Sequence, residues 1–183
     1  NRHELVRTLA SGKGRRILFT RTKFQTQKLA KDLTQNGIPA AELHGNLSQN
    51  QRDRNLAAFN SGDVNVMVAT DVAARGIDVS GVELVVQVEP PEDPKSFLHR
   101  SGRTARAGHS GDVVTIILPN QRRRTRRMMR EAGLTVEPID VTPDSPEVLE
   151  LVGEVAEPVF GWTLEQSQPV GNPRRRKNGK GDA

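Results

Sequence analysis

The sequence predicts an α/β protein: a doubly wound, mostly parallel sheet flanked by helices. Three observations carry this reading. Over the first 131 residues, short apolar runs alternate with stretches of helical periodicity. The gaps between successive runs leave room for a crossover helix, so the strands pair in parallel. Several of the runs are continuous and β-branched, as in strands covered on both faces.

The elements follow in order. Ile17-Leu18-Phe19 reads as a strand. Lys23 to Asn36 has apolar positions at Phe24, Leu29, Ala30 and Leu33, and Gly37 is a suitable helix stop. Ile38 to Leu43 reads as a second strand. Ser48 with Gln51 forms a capping-box pattern opening a helix whose Leu56, Ala57 and Phe59 are expected to face inward. Val64 to Ala69, Val82 to Val88 and Val113 to Leu118 read as buried strands. Pro94 begins a helix containing Phe97 and Leu98. Asn120 is the expected N-cap of an arginine-rich helix running to Gly133. Residues 1–14 contribute little of their own in this reading.

Composition narrows the function. There is no cysteine among 183 residues, which excludes disulfides, thiolate zinc sites and cysteine nucleophiles. No apolar run approaches the ~18 residues that span a membrane, and no signal-peptide pattern opens the chain, so a cytoplasmic location without membrane contact is expected. The net charge of +5 hides three blocks: +9 over residues 1–131, −8 over 132–171 and +4 over 172–183. The first block suits a polyanionic partner.

In parallel sheets, ligands collect beyond the carboxyl ends of the strands. The polar, glycine-bearing segments at those ends are Thr20–Lys23, His44-Gly45-Asn46 and Thr70–Asp78. Residues 44–52 read HGNLSQNQR, a glycine turn entering a helix N-terminus, where backbone N–H groups and the helix dipole favour phosphate. Gln49 and Arg52, three apart, are expected to face the same way. Residues 99–108 read HRSGRTARAG; Arg103 and Arg106 would project together from one helical turn, suiting a triphosphate. In VATDVAARGIDV, residues 68–79, Asp78 is placed to accept from ribose hydroxyls, or simply to cap its loop. His44 reads as a structural hydrogen bonder and Trp162 as a packing residue.

These motifs, in this order and spacing, resemble the C-terminal RecA-like lobe of the DEAD-box RNA helicases of superfamily 2, over roughly Ile17 to Leu118. The resemblance implies Arg103 and Arg106 as arginine fingers on the γ-phosphate of ATP. It implies Gly76 and Asp78 on the nucleotide, with Asp78 on the ribose. Thr22, Gly45, Gln49, Arg52 and Thr70 would contact RNA phosphates, and His99 and Arg100 would link the lobes. Contacts of this kind carry no sequence information. Ser101, Ala105 and Asn46 stand where the family often has other residues. No Walker A motif and no DEAD tetrapeptide occur. The resemblance therefore implies that ATP, with Mg²⁺, is held jointly with an N-terminal RecA-like lobe in cis, and that the chain alone is inactive and monomeric.

The rival readings are the lobe of a DNA-directed superfamily 2 helicase and a non-catalytic RNA-binding scaffold. The expected divisions are 1–135 for the lobe, 136–164 for a partly ordered acidic extension and 165–183 for a basic disordered tail. Residues 137–157 are expected to fold back on the helix that carries Arg122, Arg123, Arg124, Arg126, Arg127 and Arg130. The start at Asn1, without Met, suggests an excised or processed piece.

Overall fold

Strand β1 (Arg16–Thr20) forms the centre of the sheet because all five of its residues are buried, three of them as Ile17-Leu18-Phe19. In the computed structural model, which describes residues 2–77, 81–95 and 111–164, β1 pairs in parallel with β3 (Val66–Thr70) and β4 (Leu84–Gln87). β2 (Ala40–Leu43) lies beyond β3, and β5 (Asp112–Thr115) beyond β4, giving the order β2-β3-β1-β4-β5. The fold class is the parallel α/β sheet that the sequence predicts.

Alternation along the strands divides the core into two layers. Ile17, Phe19, Leu43, Met67 and Val85 face helix α3 (Gln49–Ser61), with Phe59 against them. Leu18, Val68, Leu84 and Val86 face α1 (Arg2–Ala10) and α2 (Lys23–Gln35).

Several expectations are corrected. Residues 2–10 form a helix that belongs to the core. Val6, Leu9 and Ala10 are buried, and Arg7 makes a two-pronged bond to Asp32 of α2 at 2.7 and 3.0 Å. The apolar stripe Leu5, Val6, Leu9, Ala10 has helical spacing, which is why this segment folds. Phe24 points to solvent, 71% exposed, and Thr26 takes the inward position instead, its hydroxyl 2.6 Å from that of Thr20. The inward face of α3 is Asn55, Ala58 and Phe59, with Leu56 packed only partly and Ala57 half-buried. β5 is a half-buried edge strand, because nothing pairs with its outer side among the described residues. Asn120 caps nothing: it lies in a 3₁₀ turn, Pro119–Gln121, and helix α4 (Arg122–Glu131) starts without a side-chain cap. Pro94 and Lys95 are helical; Phe97 and Leu98 lie outside the described residues.

Beyond Gly133 the chain does fold back, but on two surfaces. Glu137 and Asp140 approach Arg126 and Arg122 of α4, at 3.0 and 3.9 Å. Helix α5 (Pro146–Val152) instead packs Val148 and Val152 into the α1 layer. The following residues pair with the amino-terminal side of the sheet: Lys13 N–H donates to Glu154, Ala156 N–H to Ser11, and Val159 N–H to Gly37. Trp162 and Leu164 then reach the opposite layer, so Trp162 is a packing residue. The buried Arg16 secures this wrapping, donating to the carbonyls of Leu9 and Gly14 at 2.6 and 2.8 Å and of Val152 at 3.5 Å. Burial lowers its pKa, while Glu83 opposes the shift.

Candidate nucleic-acid interface

The parallel register decides where the polar loops meet. Thr20 is level with Thr70, and Leu43 with Ala69, so the segments after β1, β2 and β3 leave the same edge of the sheet. Two thirteen-residue helices begin there. α2 is capped by Thr22, whose Oγ1 accepts from the Gln25 backbone N–H at 3.2 Å, and α3 by Ser48 in the same manner from Gln51. Each cap is a full capping box, closed by the glutamine side chain. Both helix dipoles therefore turn their positive ends toward this edge.

Side chains fasten the loops to one another. Lys23 Nζ donates to Asn46 Oδ1 at 3.3 Å, joining the β1 and β2 loops. Arg52 Nη1 donates to the Ala73 carbonyl at 2.9 Å, joining α3 to the turn after β3. That turn is closed by Ala74 N–H on the Thr70 carbonyl, at 3.1 Å. The Asn46 backbone N–H donates to His44 Nδ1 at 3.2 Å, and Nε2 lies 3.4 Å from Gln27 Nε2 and 3.5 Å from Glu42. His44 is buried and structural.

All five predicted RNA-contact residues, Thr22, Gly45, Gln49, Arg52 and Thr70, lie at this edge. Gly45 is exposed, with no atom within 4 Å of where a Cβ would stand, so a phosphate can approach its backbone closely. Gln49 and Arg52 take different partners: Gln49 donates to Asp53 at 2.8 Å while Arg52 donates to the Ala73 carbonyl. Gly76, in the same turn, has φ 76° and open space at its Cβ position, which suits close approach of a nucleotide. Asp78, His99, Arg100, Arg103 and Arg106 lie outside the described residues. Among the described residues, no three His, Asp or Glu side chains group as a metal site, and no helix is long and apolar enough to cross a membrane.

Sequence reasoning missed the fourth loop of this edge. Arg21 donates to the Pro90 carbonyl at 2.6 and 3.1 Å and lies 3.4 Å from Glu89, which also accepts from Gln25 at 3.0 Å. The segment after β4 is thereby tied to the start of α2. The only signal for it in the sequence is the position of Glu89 at a strand end.

A level parallel sheet whose carboxyl edge gathers two capped helix N-termini, Arg52 and open glycines has the layout at which ligands collect in parallel α/β folds. The family described as helicase conserved C-terminal domain matches residues 2–108. DEAD-box ATP-dependent RNA helicase 7 of Oryza sativa subsp. japonica is 38% identical over 176 residues, covering 92% of this chain and 25% of the rice protein. A solved DEAD box protein from Methanococcus jannaschii is 36% identical, with a TM-score of 0.68, over 73% of this chain and 37% of that one. The structure of S. cerevisiae Dbp5 bound to RNA and ADP BeF3 is 28% identical, with a TM-score of 0.71, over 83% and 42% of the two chains. The chain belongs to the helicase conserved C-terminal domain family, and its RecA-like fold is that of the C-terminal lobe of DEAD-box RNA helicases. It spans about a quarter of the length of the rice relative.

Proposed function

We propose that this chain works as the C-terminal lobe of an ATP-dependent RNA helicase that remodels short RNA duplexes in the cytoplasm. The convergence of Thr22, Gly45, Arg52 and Thr70 on one sheet edge carries this reading. Such an edge grips an RNA backbone through positive helix ends and a guanidinium, without reading bases. The yeast relative bound to RNA and ADP BeF3 supports the same partners.

For the nucleotide, Gly76 and Asp78 would line the base-and-ribose side, and Arg103 and Arg106 would neutralise charge on the γ-phosphate. ATP supplies the phosphoryl group whose hydrolysis resets the lobes. An N-terminal lobe in cis would hold Mg²⁺ and orient the attacking water, while His99 and Arg100 would join the two lobes. By itself the chain is then a monomer that binds RNA weakly and hydrolyses no ATP.

RNA-stimulated ATPase of the full-length protein tests this. Arg103→Ala should lower the rate about 10³-fold or more. An unaltered rate would favour the scaffold reading, and stimulation by DNA in place of RNA would favour the DNA-directed one.

A further inference from the structure

Helix α4 is built against its own electrostatics. Six of its ten residues are arginine, and its first turn holds no acid, so Arg122, Arg123 and Arg124 crowd the positive end of the helix dipole. Arg122 and Arg126, Arg123 and Arg127, and Arg126 and Arg130 are like-charge pairs at i,i+4, each unfavourable. Only Thr125 and Met128 are buried, so packing does not account for this composition.

The charges divide by direction. Arg122 and Arg126 turn toward the chain beyond the helix and meet Asp140 and Glu137. Arg127 meets only Glu131, one turn along its own helix, at 3.4 Å. No carboxylate among the described residues lies within ion-pair distance of Arg123, Arg124 or Arg130, all exposed. Arg123, Arg124, Arg127 and Arg130 line one open concavity. Two carboxylates from the chain beyond the helix thus meet one face of α4, while the other, among the described residues, sets four arginines against Glu131 alone. α4 follows β5, which three strands separate from β2, the strand that leads to Gly45 and Arg52.

We propose that the outer face of α4, formed by Arg123, Arg124, Arg127 and Arg130, is a second contact surface for the RNA phosphate backbone. It rests on the reading that this chain binds RNA. Guanidinium groups stay charged and match phosphate oxygens two at a time, so four on one face hold a backbone without selecting a sequence. Glu137 and Asp140 set its strength by keeping Arg122 and Arg126 out of the contact.

The test is binding of the 183-residue chain to a fluorescein-labelled single-stranded RNA 20-mer, by anisotropy, across a salt series. Combined Arg123→Gln, Arg127→Gln and Arg130→Gln should weaken binding roughly 10- to 100-fold at 0.1 M salt and reduce the slope of log K against log salt by about 2, at ~0.7 per phosphate. These side chains are exposed, so the melting temperature should hold. Arg126→Gln, removing an arginine already paired, should leave the slope nearly unchanged. Glu137→Gln with Asp140→Asn should tighten binding and steepen the slope. Unchanged affinity and slope in the triple variant, while Arg52→Ala weakens binding, would overturn this proposal, leave the sheet-edge reading standing and reassign the face to an acidic protein. Absence of RNA binding by the unaltered chain would overturn both.

Discussion

The Arg52 guanidinium donates to the Ala73 carbonyl at 2.9 Å, so a residue in the first turn of α3 holds the turn that follows β3. One donor of the planar fork is used internally, and on the proposed function the others would meet a phosphate. Arg52 therefore both shapes the edge and contributes to it.

Arg52→Ala should lose about 1 kcal/mol of stability, the ordinary value of one hydrogen bond. It should also weaken RNA binding by roughly tenfold and lower the salt slope by ~0.7. Arg52→Lys keeps the charge and loses the fork, so it should recover the salt slope but not the stability. Urea unfolding combined with RNA titration separates the two contributions.

Gly37 makes a different demand. Its φ is 81°, and a Cβ there would stand 2.9 Å from both Pro158 and Phe160. Gly37→Ala combines left-handed backbone strain with displacement of the wrapped segment, which is held by Val159 N–H on the Gly37 carbonyl at 2.9 Å. A loss of about 1–3 kcal/mol is expected, together with increased protease cleavage near Phe160. Gly62, also at positive φ but with open space at its Cβ position, should show the strain alone. Equal losses and equal cleavage in Gly37→Ala and Gly62→Ala would show that the wrapped segment adds nothing.

The sheet was legible because each buried strand announces itself by composition, and the gathering of the polar loops because parallel pairing sends them to one edge. What escaped were features that depend on distant partners. Leu5, Val6 and Leu9 have a helical stripe, but nothing in residues 1–14 says that Val148 and Val152 will pack against the same layer. Phe24 looks like a core residue, yet the hydroxyl pair Thr20 and Thr26 occupies the inward turn of α2. The tie from Arg21 to Pro90 crosses 69 residues and leaves no local signature. Arg103 and Arg106 lie outside the described residues, and their assignment rests on the motif.

Arg16 is the buried junction of the wrapped chain. Its guanidinium satisfies the carbonyl of Leu9 near the end of α1 and that of Val152 at the end of α5, where a cation also meets the negative ends of two helix dipoles. Arg16→Leu preserves bulk but leaves buried carbonyls without a donor. We expect a loss of about 2–4 kcal/mol, read as a lower urea midpoint. Arg16→Lys should rescue little, because one ammonium cannot reach carbonyls arranged for a fork. Full rescue by lysine would show that charge alone matters at this position.

The pair Arg7 and Asp32 gives the fold a pH dependence of known sign. The guanidinium donates to both carboxylate oxygens and holds the Asp32 pKa below its ordinary value of 3.8, while the same contact raises that of Arg7. A depressed carboxylate pKa means that the unfolded chain binds the proton more readily than the folded one. The contribution of the pair is thus complete above the ordinary carboxylate range and disappears as pH falls through the depressed folded-state value. Both side chains are partly exposed, so the contribution is modest and screened by salt. Asp32→Asn should therefore lower stability slightly at about pH 7, and the difference should shrink as pH falls through the depressed folded-state value. Urea midpoints of the two proteins measured from neutral pH downward should converge in acid. Curves that stay parallel, or that separate further as pH falls, would place the acid sensitivity of the fold at another carboxylate.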